Sequence, residues 1–325
     1  MTAAIVNFNT RDQLARCLDS LQHEGLREII VIDNASTDDS AAVASGYPSV
    51  QIIANTTNIG YGAAANQAIR VAAGRFVLLL NADIEVRPGA ISVLDAYLTA
   101  HPEVAIAAPL LRNADDTLQY SCFPFPGTFG WLLENEPLSE LTRRVGFLRE
   151  RSVTFSTSDE PRAVPWALGA ALLLRRETVL EAGGFEESYF MYFEEVDLCN
   201  RLAGTGLSTH FVPASVIMHV GGGSTSQVRS SMLIQRFRST LAYYHRHSTG
   251  PRQLLWTTLL RVRWSARLVR DSFRLLVTFD PLAHKRLRVE RLAWWTAVFD
   301  RRTVPRPLGS GRGDEPVPSD AGRRA

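Results

Sequence analysis

Phe76-Val77-Leu78-Leu79-Leu80-Asn81-Ala82-Asp83 is five apolar residues that stop at an amide and a carboxylate. It reads as a strand delivering Asp83 to its end. Asn81 and Asp83 are two apart, so in extended chain they point the same way. Hard oxygen donors of this kind suit Mg²⁺ or Mn²⁺ bridged to a diphosphate; a turn or cap is the plainer reading. Upstream the same texture repeats. Short apolar runs at Ala3–Val6, Glu28–Ile32 and Val50–Ile53 read as strands, with helices at Asp12–Leu21, Gly62–Ala73 and Pro88–Ala100. The alternation predicts an α/β fold, a Rossmann-like, mostly parallel sheet with helices on both faces. Ligands of such sheets bind at the carboxyl ends of the strands, where Asp33-Asn34-Ala35-Ser36-Thr37-Asp38 also falls. Its carboxylates and amides suit a base edge or ribose hydroxyls, although Ser36 or Asp38 also reads as a helix cap.

Composition narrows the class. The 325 residues are 46% hydrophobic with a net charge of +2, as in an ordinary globular protein with a sizeable core. Cys17, Cys122 and Cys199 have no C-x-x-C spacing, which argues against a disulfide framework or zinc site. No leader pattern and no apolar run near 20 residues is visible, so a cytoplasmic protein is expected. Residues 112–165 are proline-bearing and loop-rich, and are expected to hold acceptor-binding loops.

A second polar concentration lies at Gly183-Gly184-Phe185-Glu186-Glu187-Ser188-Tyr189-Phe190-Met191-Tyr192-Phe193-Glu194-Glu195-Val196-Asp197-Leu198. A glycine turn and an aromatic block lead into a helix whose first turn carries Glu194, Glu195 and Asp197, where negative charge is stabilised. Clustered acids beside an aromatic wall mark a site more often than a solvated face. His219 precedes Gly221-Gly222-Gly223 after a strand expected at Ser208–Val212, and reads either as a structural histidine or as a metal ligand.

Together these segments resemble the family 2 glycosyltransferases, especially their rhamnosyltransferase-like branch. The likeness covers about residues 3–225, with Asp33-Asn34-x-Ser36-x-Asp38, Asn58-x-Gly60-Tyr61, Asn81-Ala82-Asp83, Gly183-Gly184-Phe185 and Glu194-Glu195-Val196-Asp197 in the family order. Glu195 and Glu186 stand where the family usually has Asp, and Ala82 where it has Pro. The resemblance implies a GT-A fold and an inverting transfer of a sugar, with rhamnose from dTDP-rhamnose as the leading donor. It implies Glu195 as the base with Glu194 beside it, and a Mg²⁺ or Mn²⁺ ion on Asp83 and His219. Asn7, Asp33, Asn34, Asn58, Gly60, Asn66 and Asn81 are implied on the donor nucleotide, and Trp166, Gly169 and Asp197 on the sugar or acceptor, although Trp166 also reads as a core aromatic. The implied partners are a nucleotide sugar and a lipid-linked glycan. A non-catalytic binding relative and a sugar nucleotidyltransferase are the competing classes; the segment Asn7–Arg11 lacks the glycine-rich basic loop that the latter requires.

Beyond residue 226 the texture changes. Residues 227–302 are Arg-rich and helical, with Leu255, Leu259, Val262, Ala266, Val269, Phe273 and Leu276 on one stripe and Arg263, Arg267, Arg270 and Arg274 beside it. Such a helix suits an anionic membrane surface, along with Trp294 and Trp295 of a following helix, or else packs on the catalytic domain with its arginines solvated. Nothing resembles a nucleic-acid reading motif. Residues 303–325 have little to bury and are expected to be a disordered tail.

Overall fold

The computed structural model describes residues 1–127, 159–221, 229–277 and 280–299; part of the 112–165 stretch and the 303–325 tail lie outside them. The chain divides into two compact units, Met1–Gln227 and Val228–Ala325.

In the first unit, β1 (Thr2–Asn7), β2 (Glu28–Asp33), β3 (Val50–Ala54) and β4 (Phe76–Asn81) lie parallel in the order β3-β2-β1-β4. Helices α1 (Arg11–Leu21), α2 (Ser40–Ser45), α3 (Tyr61–Val71) and α4 (Ala90–Ala100) connect or follow them. The period-2 alternation of a strand sorts β4 between two cores. Leu78 and Leu80 join Leu14, Leu18 and Leu94, whereas Val77 and Leu79 join Ala64, Ala68 and Ile69. Both faces of the sheet are therefore covered, which is why β4 is apolar without a break. Truncating one of these leucines to alanine costs about 2–5 kcal/mol.

The rest of the sheet is mixed. β5 (Ile84–Val86), β6 (Val104–Arg112), β11 (Ala171–Arg175) and β12 (Ser208–His219) extend the order to β4-β11-β6-β12-β5. β11 is antiparallel to both its neighbours, and β12 is parallel to β6. β7 (Leu118–Gln119) pairs with β6, and β9 (Arg162–Val164) with β12. β8 (Cys122–Phe123) and β10 (Trp166–Ala167) form a separate pair, and helices α5 (Arg176–Glu181) and α6 (Glu194–Gly204) follow. β6 is not anticipated in the sequence, and it carries Pro109, an unusual residue for a central strand. β12 likewise runs on past Val212, through Pro213. The physical reason is shared: Pro109 is paired with Val212, and the register shifts between Val212 and Val216. A bulge is where a sheet tolerates a residue that has no N–H to donate.

The second unit consists of α7 (Arg229–His247), α8 (Gly250–Val277) and α9 (Pro281–Phe299). Its aromatic core stacks Phe237 on Trp264 and Trp294, with centroids 4.9 and 4.7 Å apart. The Trp294 indole N–H donates to buried Asp271 at 3.0 Å. Trp294 is thus an internal residue and only Trp295 is exposed, which corrects the expectation that both serve an outer face.

Candidate active site

Asn7, Asp33 and Asn81 are the last residues of β1, β2 and β4. Strand register sets them side by side, Asn7 opposite Asp33 and Val6 opposite Asn81. The order β3-β2-β1-β4 reverses direction at β1, so this is the switch point where an open sheet leaves a crevice. The Asn7 amide donates to Asp33 Oδ1 at 2.9 Å, and the Ser36 N–H donates to Asp33 Oδ2 at 3.1 Å. Asn34 donates to Asn58 Oδ1 at 2.9 Å and accepts from the Ile59 N–H at 3.1 Å. One rigid polar wall results, built from the β2 end and the loop entering α3.

Gly60 belongs to that wall for a steric reason. Its φ is +88°, and a Cβ there would lie 2.4 Å from the Phe190 carbonyl oxygen. The same oxygen accepts the Tyr61 N–H at 2.8 Å. The loop before α3 is thereby sewn to the aromatic block before α6. Asn66 adds a second stitch. Its amide accepts from Phe185 N–H at 2.8 Å and donates to Phe185 C=O at 2.8 Å and Glu187 at 2.9 Å. It is buried, and both of its amide hydrogens are used on the glycine turn, which it clamps to α3.

The carboxylates stand at the start of α6. Tyr192 and Phe193, with φ of +68° and +73°, turn the chain sharply into the helix. Two successive non-glycine residues in the left-handed region store strain of the kind that collects at functional sites. Glu194 and Glu195 are both buried. Glu194 Oε2 has no hydrogen-bond partner among the described residues, and burial, reinforced by the Glu195 charge, pushes its carboxyl well above the usual range. Asp197 turns elsewhere, into an ion pair with Arg201 at 2.7 Å, while Arg201 also donates to the Ala182 and Gly184 carbonyls. It anchors the glycine turn to α6. Gly169 lies against Glu195, whose side chain is 3.7–3.8 Å from where a Gly169 Cβ would be. Trp166 donates to the Pro124 carbonyl at 2.8 Å and packs on Phe123.

Asp83 and His219 come together although far apart in sequence, because β5 and the extended end of β12 pair antiparallel. His219 Nε2 is 3.3 Å from Asp83 Oδ1, and Nδ1 is 2.8 Å from Gln119 Oε1. The Val220 N–H donates to the Asp83 carbonyl at 3.0 Å. No cluster of three or more His, Cys, Asp or Glu with metal-holding geometry exists among the described residues.

Tyr61 is the residue that the motif reading passed over. Its hydroxyl donates to the Gly169 carbonyl at 2.7 Å. Its phenol is pushed well above its ordinary pKa by burial and then by the charges of Glu194, Glu195 and Asp83. Its signal in the sequence is a hydroxyl-bearing aromatic directly after Gly60.

This arrangement has relatives. Residues 2–152 match the model of the glycosyl transferase family 2. The chain is 31% identical over 287 residues to N-acetylglucosaminyl-diphospho-decaprenol L-rhamnosyltransferase of Mycobacterium tuberculosis, covering 83% of this chain and 92% of that protein. It is 25% identical to the rhamnosyltransferase WbbL of Escherichia coli K12, covering 74% of this chain and 91% of that one. Among solved structures, a mannosyltransferase of Pyrobaculum calidifontis in complex with GDP-Man and Mn²⁺ superposes with a TM-score of 0.54 at 16% identity, covering 92% of this chain and 87% of that one. That likeness speaks for the GT-A fold. The chain belongs to the family 2 glycosyltransferases, in their rhamnosyltransferase-like branch, and is an enzyme.

Proposed function

We propose that the enzyme transfers rhamnose from dTDP-rhamnose to a hydroxyl of a lipid-linked saccharide, inverting the anomeric carbon. The observation that carries this reading is the convergence, at one end of the sheet, of the Asn7–Asp33–Asn34 wall, the Asp83–His219 pair and the Glu194–Glu195 helix start. The likeness to the M. tuberculosis L-rhamnosyltransferase supports the choice of donor sugar and lipid-linked acceptor.

The donor set of Asp83 and His219 fits a divalent cation. Ligands at about 2.1 Å in neighbouring octahedral positions are about 3 Å apart, close to the 3.3 Å observed. With Nδ1 bonded to Gln119, Nε2 is the ring nitrogen that faces the carboxylate and the one that would ligate a cation. Two protein ligands suffice when substrate phosphates and water complete the shell. Held by Asp83 and His219, such an ion would supply neutralisation of the charge that develops on the departing diphosphate.

The protein's own part is positioning and proton removal. Asp33 and the amides of the wall bind the nucleoside. The acceptor oxygen attacks the anomeric carbon as the bond to the diphosphate breaks, and its proton passes to Glu195. Two adjacent buried carboxylates do not both ionise cheaply. Glu194, held protonated, leaves the negative charge on Glu195, and the helix N-terminus favours that charge. Gly169 keeps the approach to Glu195 open, because a larger residue there would lean on it.

The test uses Asp83→Ala and calorimetric titration with dTDP, with and without Mn²⁺. The wild type is expected to bind dTDP at least ~10-fold tighter with Mn²⁺ present, a difference of about 1.4 kcal/mol, and the variant to lose that difference and all transfer. Metal-dependent binding that survives in the variant would contradict the assignment.

A further inference from the structure

Helix α8 is amphipathic with its apolar stripe on the wrong side for a core. Leu260, Trp264 and Asp271 are its buried positions, and they face Phe237 and Trp294. At about 100° per residue, Leu255, Leu259, Val262, Val269, Phe273 and Leu276 fall on the opposite side. They are 45–79% exposed, Leu259 least and Leu276 most. α9 adds Leu292, Trp295 and Phe299, spaced three and four apart and also exposed. Single exposed apolar residues are ordinary, but a continuous stripe about 30 Å long marks an interaction surface.

Charge decides what the surface meets. α8 carries six arginines and a single acid, Asp271, which is buried and already bonded to Arg270 and Trp294. Arg252, Arg270 and Arg274 lie along one flank of the stripe and Arg261 along the other, all exposed. A second copy of this helix would bring like charges together along the whole contact, which opposes self-association through this face. An anionic surface with an apolar interior satisfies both features at once. We infer that the apolar stripe of α8, with Trp295 and Phe299 of α9, docks in the plane of an anionic bilayer. No helix among the described residues is long and apolar enough to cross a membrane, so this is attachment at the interface, with the stripe in the acyl boundary and the arginines at the headgroups. The inference stands apart from the assignment of donor and acceptor, since it concerns where the enzyme sits and not which sugar it moves.

The experiment is co-sedimentation of the full chain with vesicles of phosphatidylglycerol and phosphatidylethanolamine, against vesicles of phosphatidylcholine alone. Binding is expected to the anionic vesicles only and to weaken as salt rises. Each arginine near such a surface contributes about fivefold. The exposed double variant Arg252→Gln/Arg261→Gln is therefore expected to bind roughly 25-fold more weakly, with an unchanged melting temperature and unchanged dTDP affinity. A second variant, Val262→Glu/Val269→Glu/Phe273→Glu, is expected to abolish binding while keeping the helical circular dichroism of the wild type. Equal binding to neutral vesicles, or an arginine variant that binds like the wild type, would overturn the inference. So would a wild type that sediments as a dimer in the absence of lipid and is made monomeric by Val262→Glu/Val269→Glu/Phe273→Glu.

Discussion

Replacing Gly60 by alanine tests how the nucleotide wall is coupled to the carboxylates. Two separate penalties meet at this position. The backbone, at φ +88° and ψ 165°, is one that only glycine adopts freely, and forcing a side chain into it costs about 1–3 kcal/mol. The added Cβ would also stand 2.4 Å from the Phe190 oxygen and 2.9 Å from its Cα, both backbone atoms that do not swing aside. Such overpacking adds about 1–3 kcal/mol. Gly206→Ala is the internal control. Its φ is +86°, yet nothing lies within 4 Å of the new Cβ, so it carries only the backbone penalty. In a domain of this size 1 kcal/mol lowers the melting temperature by about 2–4 °C. Gly206→Ala is expected to lose roughly 3–6 °C and Gly60→Ala roughly 8–14 °C by calorimetry. Function separates them further. Displacing Phe190 moves the chain that enters α6, and a misplacement of about 1 Å costs on the order of 100-fold in turnover. Gly206→Ala is expected to turn over normally. If the two variants melted and turned over alike, the close approach of residues 60 and 190 would not be what holds the site together.

Two further perturbations address the acids. The Glu194 carboxyl is raised in the folded state, so above its unfolded pKa the native protein holds a proton that the unfolded chain has released. Stability is then lost as pH rises from the unfolded value, about 4.3, towards the folded one. Glu194→Gln removes the titration: in urea denaturation its stability relative to the wild type should grow between pH 5 and pH 8, and a difference that stays flat or shrinks over that range would mean that the Glu194 carboxyl is not raised in the folded state. Tyr61→Phe leaves the Gly169 carbonyl without its donor, at a cost of about 1–3 kcal/mol. Turnover should fall about tenfold with dTDP affinity unchanged, whereas a loss confined to dTDP affinity would place Tyr61 on the nucleotide.

What the sequence revealed follows the range of the forces involved. The strands ending in Asn7, Asp33 and Asn81 were legible because period and strand-end chemistry are local. The meeting of Asp83 with His219 was expected from the resemblance and not from local pattern, because it depends on β12 continuing through a bulge at Pro213 to pair with β5. The bond of Asn66 to Phe185 was not legible either, since only tertiary packing brings the two together. Tyr61 likewise acquires its role from Gly169, 108 residues away. In α8 the apolar stripe was read correctly as a stripe, but periodicity does not say which side is the inside. Trp264 and Asp271 decide that, by meeting Phe237 and Trp294.

The account rests on Glu195 removing the acceptor's proton, and one comparison tests it most directly. Transfer by Glu195→Gln should be measured beside calorimetric binding of dTDP. The substitution keeps the shape and removes the basicity, so turnover is expected to fall about 10²–10⁴-fold while dTDP affinity stays at the wild-type value. Glu195→Asp, which restores a carboxylate, should recover much of the turnover. A Glu195→Gln enzyme that turns over at the wild-type rate, or that loses dTDP binding along with turnover, would contradict the assignment.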